Sequence, residues 1–206
     1  MIQVQVINEK EVARRLHRMP EKVPKTIRLA VNDTARKARS RIGKKAQETY
    51  TVKISGMNRA LNMTPATNSD LIAKLRASGE KLSASKFSTR AGTLGSEKYF
   101  NPTIKRWQTG KGGQGAGIQL LKSGSIKRGS NPPNKWFKTK VGKGGHNGVF
   151  SRSGSGRLPI KEKMGLSIPQ MLGSEKHVYG ILEPHIQSDL NKALNRHIAR
   201  AIRGDF

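Results

Sequence analysis

Excess positive charge is the tightest constraint on this chain. Its 206 residues hold 40 Lys and Arg against 13 Asp and Glu, a formal charge of +27 at pH 7. Self-repulsion at that level works against a compact free monomer, so a polyanion or an acidic protein is the expected partner. Composition adds a second limit. Leu, Ile, Val and Phe make up about 21% of the residues, close to the ~20% under which highly charged chains stay disordered. The length suffices for a real core, but a sizeable part of the chain is expected to lie outside it.

Several classes drop out at once. There is no cysteine, which excludes a disulfide scaffold, a thiolate zinc site and a cysteine nucleophile. The opening Met1-Ile-Gln-Val-Gln-Val-Ile7 alternates in polarity, unlike a secretory signal. No apolar run approaches the ~18–20 residues that span a bilayer. A soluble chain, compatible with a reducing compartment and without a membrane partner, is expected.

Hydrophobic periodicity divides the chain. Ile2, Val4 and Val6 share one face of a strand over 2–7, Asn8 is a cap, and Glu9 to Met19 reads as a short helix closed by Pro20. A long helix runs from Glu21 or Lys22 to Thr49, with Val23, Ile27, Val31, Ala35, Ala38, Ile42 and Ala46 at three- or four-residue spacing. Its other face is a basic ridge through Arg36, Lys37, Arg39, Arg41, Lys44 and Lys45. Such a ridge suits a solvated face with cations near a helix C-terminus, or a nucleic-acid face.

Residues 51–69 read as a Ser/Thr/Asn-rich connector, and 71–78 and 82–89 as two strands of a hairpin turned at Gly79-Glu80. Strand returns at Lys135–Val141 and Gly148–Arg152, and the prolines of 157–173 mark short strand or turn pieces. The last helix, 174–203, repeats Val178, Leu182, Ile186, Leu190, Leu194, Ile198 and Ile202 every four residues; Pro184 predicts a kink or a restart, and Gly204 a stop. The expected fold class is α+β. An antiparallel or mixed sheet is packed by a long N-terminal and a long C-terminal helix, and a Gly-rich basic loop is inserted. Residues 1–89 and 135–206 form one domain, and 90–134 is the insertion.

That insertion lies in a stretch of unusual composition. Between Glu97 and Glu162 there is no acid but fourteen Lys and Arg, with aromatics such as Tyr99, Phe100, Trp107, Trp136 and Phe137 interleaved. Gly110-Lys-Gly-Gly-Gln-Gly-Ala-Gly117 lacks the Lys-Ser/Thr pair of a phosphate loop, and no acid follows until Glu162, so it reads as a flexible loop. Lys and Arg neutralise phosphates while glycines let the backbone approach, without reading base sequence. The candidate phosphate contacts are Lys105, Arg106, Lys111, Lys122, Lys127, Arg128, Lys135, Lys138, Lys140 and Lys143. Residues 90–134 are expected to be disordered in a free subunit, with Ile118, Leu120, Leu121 and Ile126 among the anchors that pack on neighbours.

Catalytic patterns are not seen. His17, His146, His177, His185 and His197 form no H-E-x-x-H or tight ligand cluster, and no G-x-S-x-G elbow occurs. Carboxylates are too sparse to nominate an acid–base pair. The reading carries no catalytic residue, metal, cofactor or small-molecule substrate.

The segment from Gly148 to Leu172 resembles the minor tail protein Z family of tailed-phage virions, which are tail-completion proteins of the head–tail neck. Phe150, Arg157, Pro159, Ile160, Ser167, Pro169, Gln170 and Met171 occupy the places of the family pattern. Ala30-Val-Asn-Asp-Thr-Ala-Arg-Lys-Ala38 is similar to the family's first long helix, and the 71–87 hairpin fits its sheet. The resemblance covers about 20–90 and 135–206. It implies a non-catalytic virion protein of the tail and neck, assembled in the host bacterial cytoplasm. It further implies a homo-oligomeric ring, a hexamer matching the sixfold tail, that touches the tail terminator, head-completion or connector proteins, and viral double-stranded DNA. The residues alone also allow a free-standing, non-specific nucleic-acid-binding protein.

Overall fold

The computed structural model describes residues 2–6, 8–17, 19–52, 57–92, 97–101, 105–111, 115–129, 135–141, 145–153 and 158–205, with backbone alone for 58–59, 97–101 and 106–111. It is mixed α+β, with antiparallel sheets and two long helices, one near each end of the chain. Its residues group into two units, 1–48 with 55–80 and 168–206, and 49–54 with 81–167. These boundaries differ from the expected cuts at 89 and 134.

The first unit holds β1 (Ile2–Val4), α1 (Glu9–Arg15), α2 (Val23–Thr49), β2 (Leu61–Thr64), β3 (Ala73–Ala77), α3 (Ile168–Leu172) and α4 (Tyr179–Arg203). The Asn8 carboxamide caps α1 by accepting the Glu11 N–H at 3.3 Å, satisfying one of the donors left open at a helix start. In α2 the expected stripe is the buried one, from Ile27 through Val31, Ala35, Ala38 and Ile42 to Ala46. The strands form one antiparallel sheet in the order β1-β3-β2, with Val4 opposite Ala73 and Met63 opposite Leu75. Ala73 and Leu75 are buried while Arg76 points outward, the period-two signature of a half-buried strand. Asn32 ties α2 to the segment after β2: its amide donates to the Ala66 carbonyl at 3.0 Å and accepts the Ala66 N–H at 2.8 Å.

Helix α4 runs from Tyr179 through Pro184 to Arg203, so the expected restart is absent. Pro184 falls in the second turn, where one intrahelical hydrogen bond is lost. Gly204 closes the helix at φ +82°, a conformation glycine adopts freely. The four-residue repeat is only partly the buried stripe. A step of four residues advances about 40° beyond a full turn, so a long i, i+4 row winds round the helix. Ile186, Leu190, Leu194 and Ile198 are buried, but Ile202 is 57% exposed, and Ala193, His197 and Ala201 complete the inner face.

Among the described residues, the second unit holds ten short strands: β4 (Lys81–Ser83), β5 (Ser88–Arg90), β6 (Glu97–Asn101), β7 (Arg106–Lys111), β8 (Gly117–Gln119), β9 (Lys127–Arg128), β10 (Trp136–Val141), β11 (His146–Arg152), β12 (Ile160–Glu162) and β13 (Met164–Ser167). They pair as β10-β11-β12, β5-β8-β9, β13-β4 and β6-β7. Four expectations are corrected here. The described strands of the two units form five small sheets rather than one. The 71–87 hairpin does not exist, because β3 pairs with β1 and β2 while β4 pairs with β13. The expected 82–89 strand is broken at Ala84–Lys86 by a 3-10 turn; the Ser83 hydroxyl accepts the Ser85 N–H at 3.3 Å, a local bond that competes with the ladder. The connector 51–69 contains β2.

The 90–134 stretch is also more structured than its composition suggests. It carries β6 to β9, and Ile118 is 5% exposed within its own chain rather than kept for a neighbour. Leu120 and Lys122 bond through their backbones to Thr51 and Thr49 at 2.9 Å. Two of the glycines read as loop are packing residues. A Cβ on Gly115 would lie 2.0 Å from the Gly129 carbonyl oxygen, and one on Gly117 would lie 2.3 Å from Ile126.

Ile27→Ala should lower stability by about 2–5 kcal/mol through cavity formation, whereas Ile202→Ala should stay within ~0.5 kcal/mol. Urea denaturation followed by far-UV circular dichroism checks both. Gly115→Ala should lower the midpoint in the same assay, because the backbone oxygen it meets cannot move aside cheaply.

Candidate nucleic-acid interface

Two lysines of β10 and one of β12 lie on one side of the three-stranded sheet, whereas Arg152 of β11 lies on the other. Residues directly opposite in an antiparallel pair project to the same side. Lys138 faces Val149, Lys140 faces Asn147, and Lys161 of β12 faces Ser151, so the three exposed lysines share one side of the sheet. On the other side the residues engage one another. Phe137 and Phe150 lie 6.3 Å apart, Arg152 sits 4.9 Å over the Phe137 ring, and His146 Nε2 is 2.8 Å from Glu162 Oε1. The Ser83 hydroxyl donates to the same carboxylate oxygen at 2.5 Å. Burial pushes the Glu162 carboxyl up, but hydrogen bonds from Ser83 and His146 and the imidazole charge outweigh it and leave the pKa lowered. Ser83 and His146 both engage Glu162 and not each other, so this cluster lacks a hydroxyl poised beside a base.

The other candidate cations are scattered over the same unit. Lys105 is exposed between β6 and β7, at φ +49°. Arg106 and Lys111 begin and end β7, where only backbone is described. Lys122 and Lys127 are exposed and Lys135 is half-buried. Arg128 is half-buried, and its guanidinium donates to the Gly115 carbonyl at 2.8 Å. Lys143 and Arg157 lie outside the described residues. The remaining motif residues hold scaffold positions. Phe150 is buried, Pro159 follows a cis peptide and its carbonyl accepts the Ser153 N–H at 3.2 Å, and Ile160 starts β12 opposite Arg152. Ser167 ends β13, and Pro169, Gln170 and Met171 form most of α3, with Met171 fully buried.

A second cationic site, in the first unit, joins residues that the sequence leaves far apart. Lys22 reaches Ala201, Asp33 reaches Arg196 and His197, and Lys37 and Arg41 reach Asp189, so α2 and α4 run antiparallel. Asp33 accepts from Arg36 at 2.6 Å, Arg196 at 2.5 Å and His197 at 2.8 Å. Asp189 accepts from Lys37 at 2.6 Å and also from Arg41. Between the helices lies an open cleft of about 570 Å³, lined by Asp33, Thr34, Lys37, Asp189, Lys192, Ala193 and Arg196. Burial pushes the Asp33 carboxyl up, yet the hydrogen bonds and charges of Arg36 and His197 prevail and its pKa is lowered. In the sequence, the trace of this seam is a mid-helix acid, Asp33 on α2 and Asp189 on α4, among the cations.

Neither a family model, nor a curated protein, nor a solved structure matches this chain.

The lowered pKa of Asp33 has a signed consequence. Its ionised form is favoured by folding, so it contributes stability above the unfolded-state value and loses that contribution as pH falls through about 4 and below. Asp33→Asn should therefore flatten the acid limb of stability against pH. Urea midpoints between neutral pH and pH 3 measure this, and an unchanged acid limb would contradict the assignment.

Proposed function

We propose that this chain is a structural virion protein of a tailed bacteriophage, a non-catalytic tail-completion subunit at the head-proximal end of the tail. The observation that carries the reading is the motif resemblance from Phe150 to Met171, which runs from the second unit's last strands to the short helix preceding α4. The surplus of cations supports it, because a subunit next to packaged DNA and acidic neighbours gains from net positive charge. In this reading the copies form a sixfold ring in the neck. The ring meets the tail terminator on one side and connector proteins on the other, with viral double-stranded DNA passing through. The two long helices cover the three-stranded sheet of their unit with their apolar stripes, and the Gly-rich basic segment serves as the ring's phosphate-contacting loop.

The exposed lysines Lys138, Lys140 and Lys161 also favour a second reading, a free-standing binder of nucleic acid without sequence preference. Oligomeric state separates the two. Electron microscopy of the purified protein, or of tails carrying a labelled copy, should reveal a sixfold ring at the head-proximal end; a persistent monomer would defeat the neck reading. In either case, replacing Lys105, Lys127, Lys138 and Lys140 by Gln should flatten the log–log salt dependence of duplex binding by about three to four units if all four touch phosphates. An unchanged slope would mean that these charges serve protein contacts.

A further inference from the structure

We propose that the cleft between α2 and α4 binds a phosphodiester backbone through Lys37, Arg41, Lys192 and Arg196. The inference stands without the neck reading and uses none of the lysines of the second unit. Its basis is the way charge is layered in the cleft. Two carboxylates sit low: the Asp189 side chain is 10% exposed and the Asp33 side chain 30%. The cations stand higher, with side chains 52% exposed at Lys37, 39% at Arg41 and 60% at Arg196. Lys192 lines the cleft, is exposed, and makes no ion pair among the described residues. Three cations, Lys37, Lys192 and Arg196, line the cleft with the two carboxylates, and Arg36 and Arg41 bond those carboxylates beside it, so the local charge is net positive.

Spacing points to a repeating anion. Lys37 and Arg41 are four residues apart on α2, and Lys192 and Arg196 four apart on α4. Each pair therefore repeats after about 6 Å along its helix, comparable with the separation of successive phosphates on one strand. Thr34 and Ala193, both small, line the space between the two rows. A phosphodiester fits this better than a partner's acidic side chains. A nucleic-acid strand carries its charges at a regular interval along its own backbone, whereas the spacing of a partner's carboxylates depends on that partner's sequence and fold. A guanidinium has five N–H donors and an ammonium three, so donors pointing outward remain for phosphate oxygens approaching from the rim.

Lysine acetylation footprinting of the full-length protein tests the site, with a short oligothymidylate, its duplex and a poly-glutamate peptide as probes. Oligothymidylate should protect Lys37 and Lys192, and the protection should persist when Lys138, Lys140 and Lys161 are replaced by Gln. Protection by the single strand alone assigns single-stranded nucleic acid as the ligand; equal protection by the duplex assigns one strand of either form. Lys192→Gln, at an exposed position that need not disturb folding, should lower the log–log salt slope of binding by about 0.7 for the single strand or 0.9 for the duplex. The proposal fails if neither lysine is protected, if protection disappears with the second unit's lysines, if the slope does not change, or if poly-glutamate protects as well as nucleic acid.

Discussion

Two carboxylates allow two helices with facing Lys and Arg residues to lie side by side. Helix α2 and the residue before it carry nine Lys and Arg between Lys22 and Thr49, and α4 carries four between Lys192 and Arg203. Unmatched charges of one sign, a few ångströms apart near a protein surface, repel by several kcal/mol at an effective dielectric constant of about 20. Asp33 and Asp189 remove that obstacle by opposite routes. The α2 carboxylate takes two groups from α4, and the α4 carboxylate takes two from α2. Burial of the apolar stripes then favours close contact, and the small side chains of Ala30, Ala35, Ala38 and Ala46 let the α2 backbone approach its neighbours closely.

The second unit is held differently. Its strands are short and its sheets small, so polar side chains do part of the joining that a broad apolar core does elsewhere. The Thr51 hydroxyl accepts the Ser88 N–H at 3.1 Å and donates to the Gln119 carbonyl, linking three separate segments. Glu162 gathers Ser83 of β4 and His146 of β11 onto β12. Glycine contributes by absence: a Cβ on Gly165 would lie 2.3 Å from the Phe87 ring, the largest fully buried side chain. The acid-free composition matters here too. Within 81–167 the sequence holds two acids, Glu97 and Glu162, and Lys138, Lys140 and Lys161 are exposed and make no ion pair among the described residues.

The two surfaces have different physical characters. The lysines of β10 and β12 form a flat patch of flexible point charges, suited to non-specific contact that salt readily weakens. In the α2–α4 cleft, Lys37, Arg41 and Arg196 are oriented by the carboxylates they bond. A guanidinium already held on one side presents its remaining donors at a defined angle, which costs less ordering entropy when an anion arrives.

How far the chain could be read in advance follows from the range of the interactions. Both long helices, the Asn8 cap, the Gly204 stop and the strands β10 and β11 are legible because each rests on local signals: a period of three to four residues, a period of two, a cap, a residue tolerant of positive φ. The charge surplus and the acid-free stretch are likewise properties of the chain, whatever its fold. Strand pairing is not legible, because a hydrophobic alternation tells which face is buried and not which strand lies alongside; so 71–78 and 82–89 read as a hairpin although they pair elsewhere. Gly115 and Gly117 carry no sign in sequence that distinguishes flexibility from tight packing, since the atoms that forbid a Cβ come from Gly129 and Ile126. The cleft was hidden for the same reason. Sequence alone determined the helices and their positive charge; tertiary structure alone brought Asp189 to Lys37 and Asp33 to Arg196, because charges more than 140 residues apart in the chain meet only when apolar burial has aligned the helices that bear them.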